Sequence, residues 1–235
     1  MTASSHLSDN LALLAGETSL LERTATALDD QAIREASLCE GWTRAHVLSH
    51  IARNADGLGN LVSWATTGTP VAMYVSAQAR DADIAAGSAR SAQEIITDLT
   101  ESAARFASAA PGLAGPPERS EVEMRGGRTV LGGQLPTLRL LEVVIHHVDL
   151  DAGYTFADAD PGFVRRAIAH AVRRMETRDQ VPAVSLHGDN GDAWTIGAGT
   201  QEVAGTNAGI LLWLARGDGT GISSEDALPA LPAWG

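Results

Sequence analysis

The chain has 235 residues, 44% of them apolar and 20% charged, which is enough to form a core in one large domain or two small ones. Its formal net charge is -12, and acidic proteins are repelled by nucleic-acid phosphates and by anionic membranes. We therefore expect neither nucleic acid nor membrane as a partner. The single cysteine, Cys39, excludes an internal disulfide. The polar N-terminus does not resemble a signal peptide, so we expect a soluble cytoplasmic protein.

Helical periodicity dominates the first part of the chain. Residues 6–28 carry apolar side chains at helical spacing, which predicts a first helix. Thr43 is a suitable N-cap for a second helix that runs to about Thr67. Residues 69–90 are mixed, and we expect an extended start followed by a short helical stretch.

The next segment contains two more predicted helices with a hairpin between them. Ser91 and Glu94 match a capping box, which predicts that the third helix begins there. Two adjacent glycines between alternating residues predict a β-hairpin over 121–130. Pro136 fits the first turn of a fourth helix, which we expect to reach about Ala152.

The pattern changes after these helices. Asp160 and Pro161 are typical of a helix start, and short strands, then a compact apolar helix, follow. The predicted elements are a helix to about Arg178, a hairpin of 184–186 with 193–196, a third strand at 202–204 and a helix over 207–216. The sequence therefore predicts a mainly α protein, with a helical bundle in residues 1–155 and a small α+β domain in residues 156–235.

The fourth helix carries a carboxylate and an imidazole on one face. Glu142 lies in an almost wholly apolar segment, and a carboxylate away from water needs a partner. His146 is four residues further on and shares its face, whereas His147 is rotated from Glu142 by about 140°. Asp149 lies three residues beyond His146 and could orient its imidazole. A core hydrogen bond between Glu142 and His146 is the ordinary alternative to a metal site.

The second helix supplies a possible third ligand. His46, His50 and Asn54 follow one another at four-residue spacing and form one polar stripe. Helix bundles build metal sites from inward side chains on facing helices. We expect His46 in the first turn to be exposed, so the deeper His50 is the better candidate. Two histidines and one carboxylate would leave an open position on zinc, as in catalytic zinc sites.

Several segments together resemble a known family. They are Leu38-Cys-Glu-Gly-Trp-Thr-Arg-Ala-His46, Ser49-His-Ile-Ala-Arg-Asn-Ala55 and Glu142-Val-Val-Ile-His-His-Val-Asp-Leu150. They are similar to the mycothiol-dependent maleylpyruvate isomerase family, which has a DinB-like metal-binding helix bundle. The resemblance implies a DinB-like four-helix bundle with a small C-terminal domain. It also implies that His50, Glu142 and His146 hold a divalent metal such as zinc.

Two further matches extend the resemblance to other parts of the chain. Met73-Tyr-Val-Ser76 with Arg80 is similar to a segment of the maleylpyruvate isomerases themselves. Ala215-Arg-Gly217 resembles the stretch around a functionally required arginine. The resemblance therefore makes Tyr74, Arg80 and Arg216 candidate catalytic residues, with Arg216 also placed to bind the thiol cofactor. Arg80 as a surface ion pair and Arg216 as a cation at a helix C-terminus are the structural alternatives.

The activity that the resemblance implies is the cis-trans isomerisation of maleylpyruvate to fumarylpyruvate in gentisate degradation. Mycothiol would serve as the thiol cofactor, with its thiolate bound to zinc and added reversibly to the double bond. A mycothiol S-transferase that conjugates electrophiles is an alternative, and so is a non-enzymatic protein that binds metal or thiol. We expect small molecules as ligands and a monomeric chain. Cys39 is expected to be a small, partly buried structural residue.

Overall fold

The computed structural model describes residues 3–178 and 181–231, and the chain divides into two compact units, Met1–Gly153 and Tyr154–Gly235. The helices are α1 Ala3–Thr26, α2 Arg44–Thr67, α3 Ala77–Ser88, α4 Ala92–Ala109, α5 Leu135–Asp149, α6 Pro161–Met175 and α7 Asn207–Arg216. The strands are β1 Glu121–Glu123, β2 Thr129–Leu131, β3 Val184–His187, β4 Ala193–Ile196, β5 Gln201–Gly205 and β6 Ile222–Ser223. The mainly α class is confirmed.

The first unit is a helix bundle in which α2 contacts three other helices. It packs against α3, α4 and α5, while α1 packs against α5 and α4. Apolar residues of α2 such as Leu48, Ile51 and Leu58 are fully buried, as are Leu140 and Val144 of α5. Because α2 contacts three helices, its side chains point into the bundle on several sides, and polar residues on it meet polar residues of α5.

The helix starts lie where the capping signals predict them. Thr43 is the N-cap of α2, and its hydroxyl lies 2.8 Å from Nδ1 of His46. Ser91 and Glu94 form the predicted capping box of α4, with a distance of 3.0 Å from the Ser91 amide to the Glu94 carboxylate. Gly68 ends α2 with a φ of 73°, a conformation that glycine adopts without the steric cost of a Cβ atom.

The end of α5 is fixed by a side chain of α2. The helix ends at Asp149, before the predicted end near Ala152. Arg44 donates from Nε to the carbonyl of Leu150 and from Nη2 to the carbonyl of Asp151, both at 2.6 Å. These carbonyls have no partner within the helix, so the arginine replaces the helical bonds that would continue it. Local sequence patterns could not predict this end, because Arg44 and Leu150 are 106 positions apart in the chain.

The second unit combines a four-stranded sheet in the order β4-β3-β5-β6 with the helices α6 and α7. The predicted hairpin of β3 and β4 is confirmed as an antiparallel pair, whereas β5 pairs with β3 in parallel. The two-residue strand β6 pairs with β5 and was too short to give a period-2 signal. Asp160 caps α6 as predicted, accepting from the Phe163 amide at 2.7 Å. Among the helices of the described residues, none is long and apolar enough to cross a membrane.

Candidate metal centre

Two helices of the first unit bring two histidines and one carboxylate together. His50 lies in the middle of α2, and Glu142 and His146 lie one turn apart on α5. Nε2 of His50 is 3.0 Å from Oε2 of Glu142 and 3.1 Å from Nε2 of His146, and Nε2 of His146 is 3.6 Å from that Glu142 oxygen. We call these three residues the imidazole triad.

The donor atoms of the triad fit a small divalent cation. Zinc binds imidazole nitrogen and carboxylate oxygen at about 2.0–2.2 Å, so neighbouring ligands of a tetrahedral ion lie roughly 3.3 Å apart. The three observed separations, 3.0, 3.1 and 3.6 Å, lie on both sides of that value. His50 is 6% exposed, whereas the Glu142 side chain is 35% exposed, so an ion bound here would keep a side open to further ligands.

The electrostatics keep the triad ready to bind a cation. Burial, together with the nearby positive charges, lowers the pKa of His50 to about 4, although its hydrogen bond with Glu142 acts in the opposite direction. Burial raises the pKa of Glu142, but the hydrogen bond and charge of His50 and the charges of His146 and Arg139 outweigh it and lower the value to about 2. At neutral pH His50 is therefore neutral and Glu142 ionised, which are the charge states of metal ligands. Because arginine only donates, the Arg80 contact at Nδ1 puts the proton of the neutral His50 ring on Nε2, where it faces Glu142, and a cation bound at Nε2 would displace that proton.

Asp149 holds the imidazole of His146 from its far side. Its carboxylate is fully buried, and Oδ2 lies 2.7 Å from Nδ1 of His146. A proton on Nδ1 then points at the carboxylate and leaves the lone pair of Nε2 directed at the triad. The Sγ atom of Cys39 donates to the same oxygen at 3.2 Å. Cys39 is partly buried, as the sequence predicted.

Arg80 and Tyr74 lie beside the triad. Nη2 of Arg80 is 3.0 Å from Nδ1 of His50, and Nη1 pairs with the exposed Asp81 at 2.7 Å. The Arg80 side chain is only 12% exposed, so it is more than the surface ion pair that the sequence left as an alternative. The guanidinium lies 6.0 Å from the centre of the Tyr74 ring. Burial raises the pKa of Tyr74, which keeps its hydroxyl protonated and able to donate.

Arg139 was not predicted as a site residue, and its buried guanidinium interacts electrostatically with Glu142. It is 1% exposed, and its Nη1 donates to the carbonyl of Ile51 at 2.7 Å and to Oδ1 of Asn54 at 2.8 Å. Burial lowers its pKa to about 10, and the negative charge of Glu142 opposes that shift. Its position three residues before Glu142, on an apolar helix, was the available signal. Asn54, the last member of the predicted polar stripe, therefore binds this arginine.

The remaining histidines of these helices point elsewhere. His147 is 1% exposed, and its Nε2 lies 2.7 Å from the hydroxyl of Thr24 on α1, as expected from its rotation away from Glu142. His46 is partly exposed and caps the start of α2. The Trp42 ring stacks on the His46 ring at 6.2 Å between centroids. It also packs edge-to-face against the His50 ring at 5.5 Å between centroids. The packing of Trp42 therefore limits the rotation of the His50 imidazole.

Arg216 is the last residue of α7 in the second unit. Its Nη1 donates to the carbonyl of Ala215 at 2.6 Å, and the helix is closed by Gly217 with a φ of 72°. A cation at this position interacts favourably with the helix dipole. The functional role assigned to Arg216 from the sequence stays a prediction.

A helix bundle with two histidines and a carboxylate converging from facing helices defines a candidate metal-binding protein. Comparison with known families then identifies it more closely, because residues 14–151 match the mycothiol maleylpyruvate isomerase N-terminal domain. The chain belongs to the mycothiol maleylpyruvate isomerase family, a family of enzymes.

Two solved structures resemble the chain over its whole length. A crystal structure of a mycothiol-dependent maleylpyruvate isomerase is 32% identical, with a TM-score of 0.92 and 100% of both chains covered. A variant of such an isomerase with one histidine replaced by alanine is 31% identical, with the same TM-score and coverage. A search of curated proteins found no significant match. The predicted family and fold are confirmed.

Proposed function

We propose that this chain is a cis-trans isomerase that converts maleylpyruvate to fumarylpyruvate with mycothiol as the thiol cofactor, in gentisate degradation. The observation that carries the proposal is the imidazole triad, in a chain that shares its family and its whole fold with mycothiol-dependent maleylpyruvate isomerases. A thiol-dependent isomerase needs a site that binds a thiolate, and the triad offers ligands for a metal with an open side.

His50, Glu142 and His146 would hold one divalent ion, and zinc suits two imidazoles with a carboxylate. When bound, such an ion deprotonates a coordinated thiol at neutral pH. Asp149 fixes the tautomer of His146, since its carboxylate accepts the Nδ1 proton at 2.7 Å. The buried guanidinium of Arg139 compensates the negative charge of Glu142. The protein thus supplies the ligands and their orientation without a catalytic cysteine.

The substrate carries two carboxylates and a double bond conjugated to a ketone. Mycothiol supplies a nucleophile whose reversible addition makes that bond single for long enough to rotate, while the electron pair moves onto the ketone oxygen. Arg80 is placed to stabilise that oxygen or to bind a carboxylate, because its guanidinium lies beside His50 with little exposure. Tyr74 donates a hydrogen bond in the same region. We assign a second carboxylate, or the cofactor, to Arg216.

The proposal is tested with purified protein, stoichiometric zinc, mycothiol and maleylpyruvate. We expect fumarylpyruvate to form, and we expect its formation to need both the metal and the thiol. Product analysis by mass spectrometry separates the alternatives. A stable thioether would show an S-transferase, and metal and thiol binding without turnover would show a binding protein.

A further inference from the structure

A second group of metal-binding atoms lies on the far side of His146. Sγ of Cys39 is 3.2 Å from Oδ2 of Asp149 and 4.0 Å from Nδ1 of His146, and that nitrogen is 2.7 Å from the same carboxylate oxygen. We call these three residues the thiol cluster. His146 and Asp149 are already joined by helical spacing at the C-terminal end of α5, and the fold brings Cys39 to them from the loop before α2.

We infer that the thiol cluster is a binding site for a thiophilic divalent cation, such as cadmium or surplus zinc, and that it competes with the imidazole triad for His146. A metal ion with ligands at about 2.0–2.3 Å places sulfur, nitrogen and oxygen roughly 3.5 Å apart. The observed separations of 2.7, 3.2 and 4.0 Å differ from that arrangement by no more than about 0.8 Å, which small side-chain movements can supply.

The charges favour a divalent ion at this position. Binding releases the Cys39 proton to solvent, so a thiolate and the Asp149 carboxylate together neutralise the two charges of the ion. The imidazole triad supplies one carboxylate, and the Arg80 guanidinium lies 3.0 Å from His50. An ion in the triad therefore keeps excess positive charge that suits anionic ligands, whereas an ion in the thiol cluster is neutralised by the protein.

The competition follows from the chemistry of imidazole. Neutral His146 has one proton and one lone pair. In the triad the lone pair is on Nε2, and the Nδ1 proton points to Asp149. In the thiol cluster the lone pair must be on Nδ1, so the proton moves to Nε2 and faces the triad. A soft cation at Cys39 would thus remove one ligand from the triad without contacting the substrate.

The test uses full-length protein and cadmium alone, with cadmium-thiolate charge-transfer absorption in the ultraviolet as the readout. The variant His50→Ala weakens the triad and leaves the thiol cluster intact. We expect one equivalent of cadmium-thiolate signal in His50→Ala, a signal in metal-free wild type that prior loading with zinc reduces because the two sites share His146, and none in Cys39→Ser. Circular dichroism checks that each variant is folded. Since this binding test needs no turnover, it can fail or succeed independently of the proposed isomerase activity.

A second measurement follows the thiol itself. Cys39 is the single cysteine of the chain, so its alkylation by iodoacetamide reports on one site. Cadmium should slow this alkylation at least about tenfold in wild type and in His50→Ala, and Asp149→Asn should weaken the protection. Equal alkylation rates with and without cadmium, or a thiolate signal that is absent from His50→Ala, would overturn the inference. In that case Cys39 is a structural residue that donates a hydrogen bond to Asp149.

Discussion

His50 is the residue at which the triad converges, because its Nε2 lies within 3.1 Å of both other candidate ligands. We expect His50→Ala to lower zinc affinity by more than about 100-fold, since it removes a direct ligand, and removing an outer partner already costs 10–100-fold. Alanine favours the helix, so α2 should stay folded. Metal analysis after dialysis and circular dichroism measure the two effects.

The matched control is His46, one turn earlier on the same helix. It is partly exposed and caps α2, so His46→Ala should keep the full metal content. Full zinc stoichiometry in His50→Ala combined with Cys39→Ser, or its loss in His46→Ala, would show that the ligand was chosen wrongly.

At the scale of elements, Arg44 connects the start of α2 to the end of α5. Its two hydrogen bonds to Leu150 and Asp151 satisfy helix-end carbonyls close to His146. We expect Arg44→Met to lower the free energy of unfolding by about 2 kcal/mol, because these carbonyls lose their partner. Urea denaturation measures this change, and zinc titration should show weaker binding because the end of α5 loosens. The exposed ion pair of Arg105 is the control, since Arg105→Met should cost less than about 0.5 kcal/mol.

Asp98 connects α4 to α2 and gives the bundle a dependence on pH. Burial raises the pKa of its carboxyl, but the hydrogen bonds and charges of Arg90 and Arg53, at 2.5 and 2.6 Å, lower it below its usual value. Asp98 therefore stabilises the fold above its unfolded pKa, and this contribution is lost as the pH falls through the lowered folded pKa. We expect Asp98→Asn to cost about 1 kcal/mol at pH 7 and much less near pH 3.

Urea denaturation at the two pH values measures this effect. Equal destabilisation of Asp98→Asn at both would show that the ion pairs contribute nothing and that the variant acts through its packing.

At the scale of the whole molecule, an ion in the triad would cross-link α2 and α5. A ligand at 100 times its Kd stabilises the folded state by about 2.7 kcal/mol. For a chain of this size we expect removal of zinc by a chelator to lower the Tm by roughly 5–10 °C. Differential scanning calorimetry measures the shift, and the double variant His50→Ala with Cys39→Ser, which lacks one ligand of each cluster, should show no dependence on zinc. An equal shift in that variant would place the bound metal elsewhere.

Arg216 tests whether the second unit takes part in the reaction. We expect Arg216→Ala to retain zinc and to lower kcat/KM by about 100-fold, because the proposed contact of its guanidinium with a carboxylate would be lost. Arg173→Ala on the exposed face of α6 is the control and should keep wild-type turnover. Steady-state kinetics at saturating mycothiol measure both. Normal turnover of Arg216→Ala would show that Arg216 takes no part in the reaction.

Much of the fold could be predicted from local signals. Thr43, Ser91 and Asp160 each marked a helix start because capping depends on residues within one turn. The end of α5 and the strand β6 were not predicted, because the first depends on Arg44 far away in the chain and the second is only two residues long.

The sequence by itself determined that Glu142 and His146 share a helix face and that His147 does not, because helical rotation is a local property. The motifs also determined the family. Only the tertiary structure decided that His50 meets both residues of α5, that Arg80 lies against His50, and that Cys39 reaches Asp149. These contacts join residues 30 to 110 positions apart, and their distances depend on how the helices pack, which no local pattern contains.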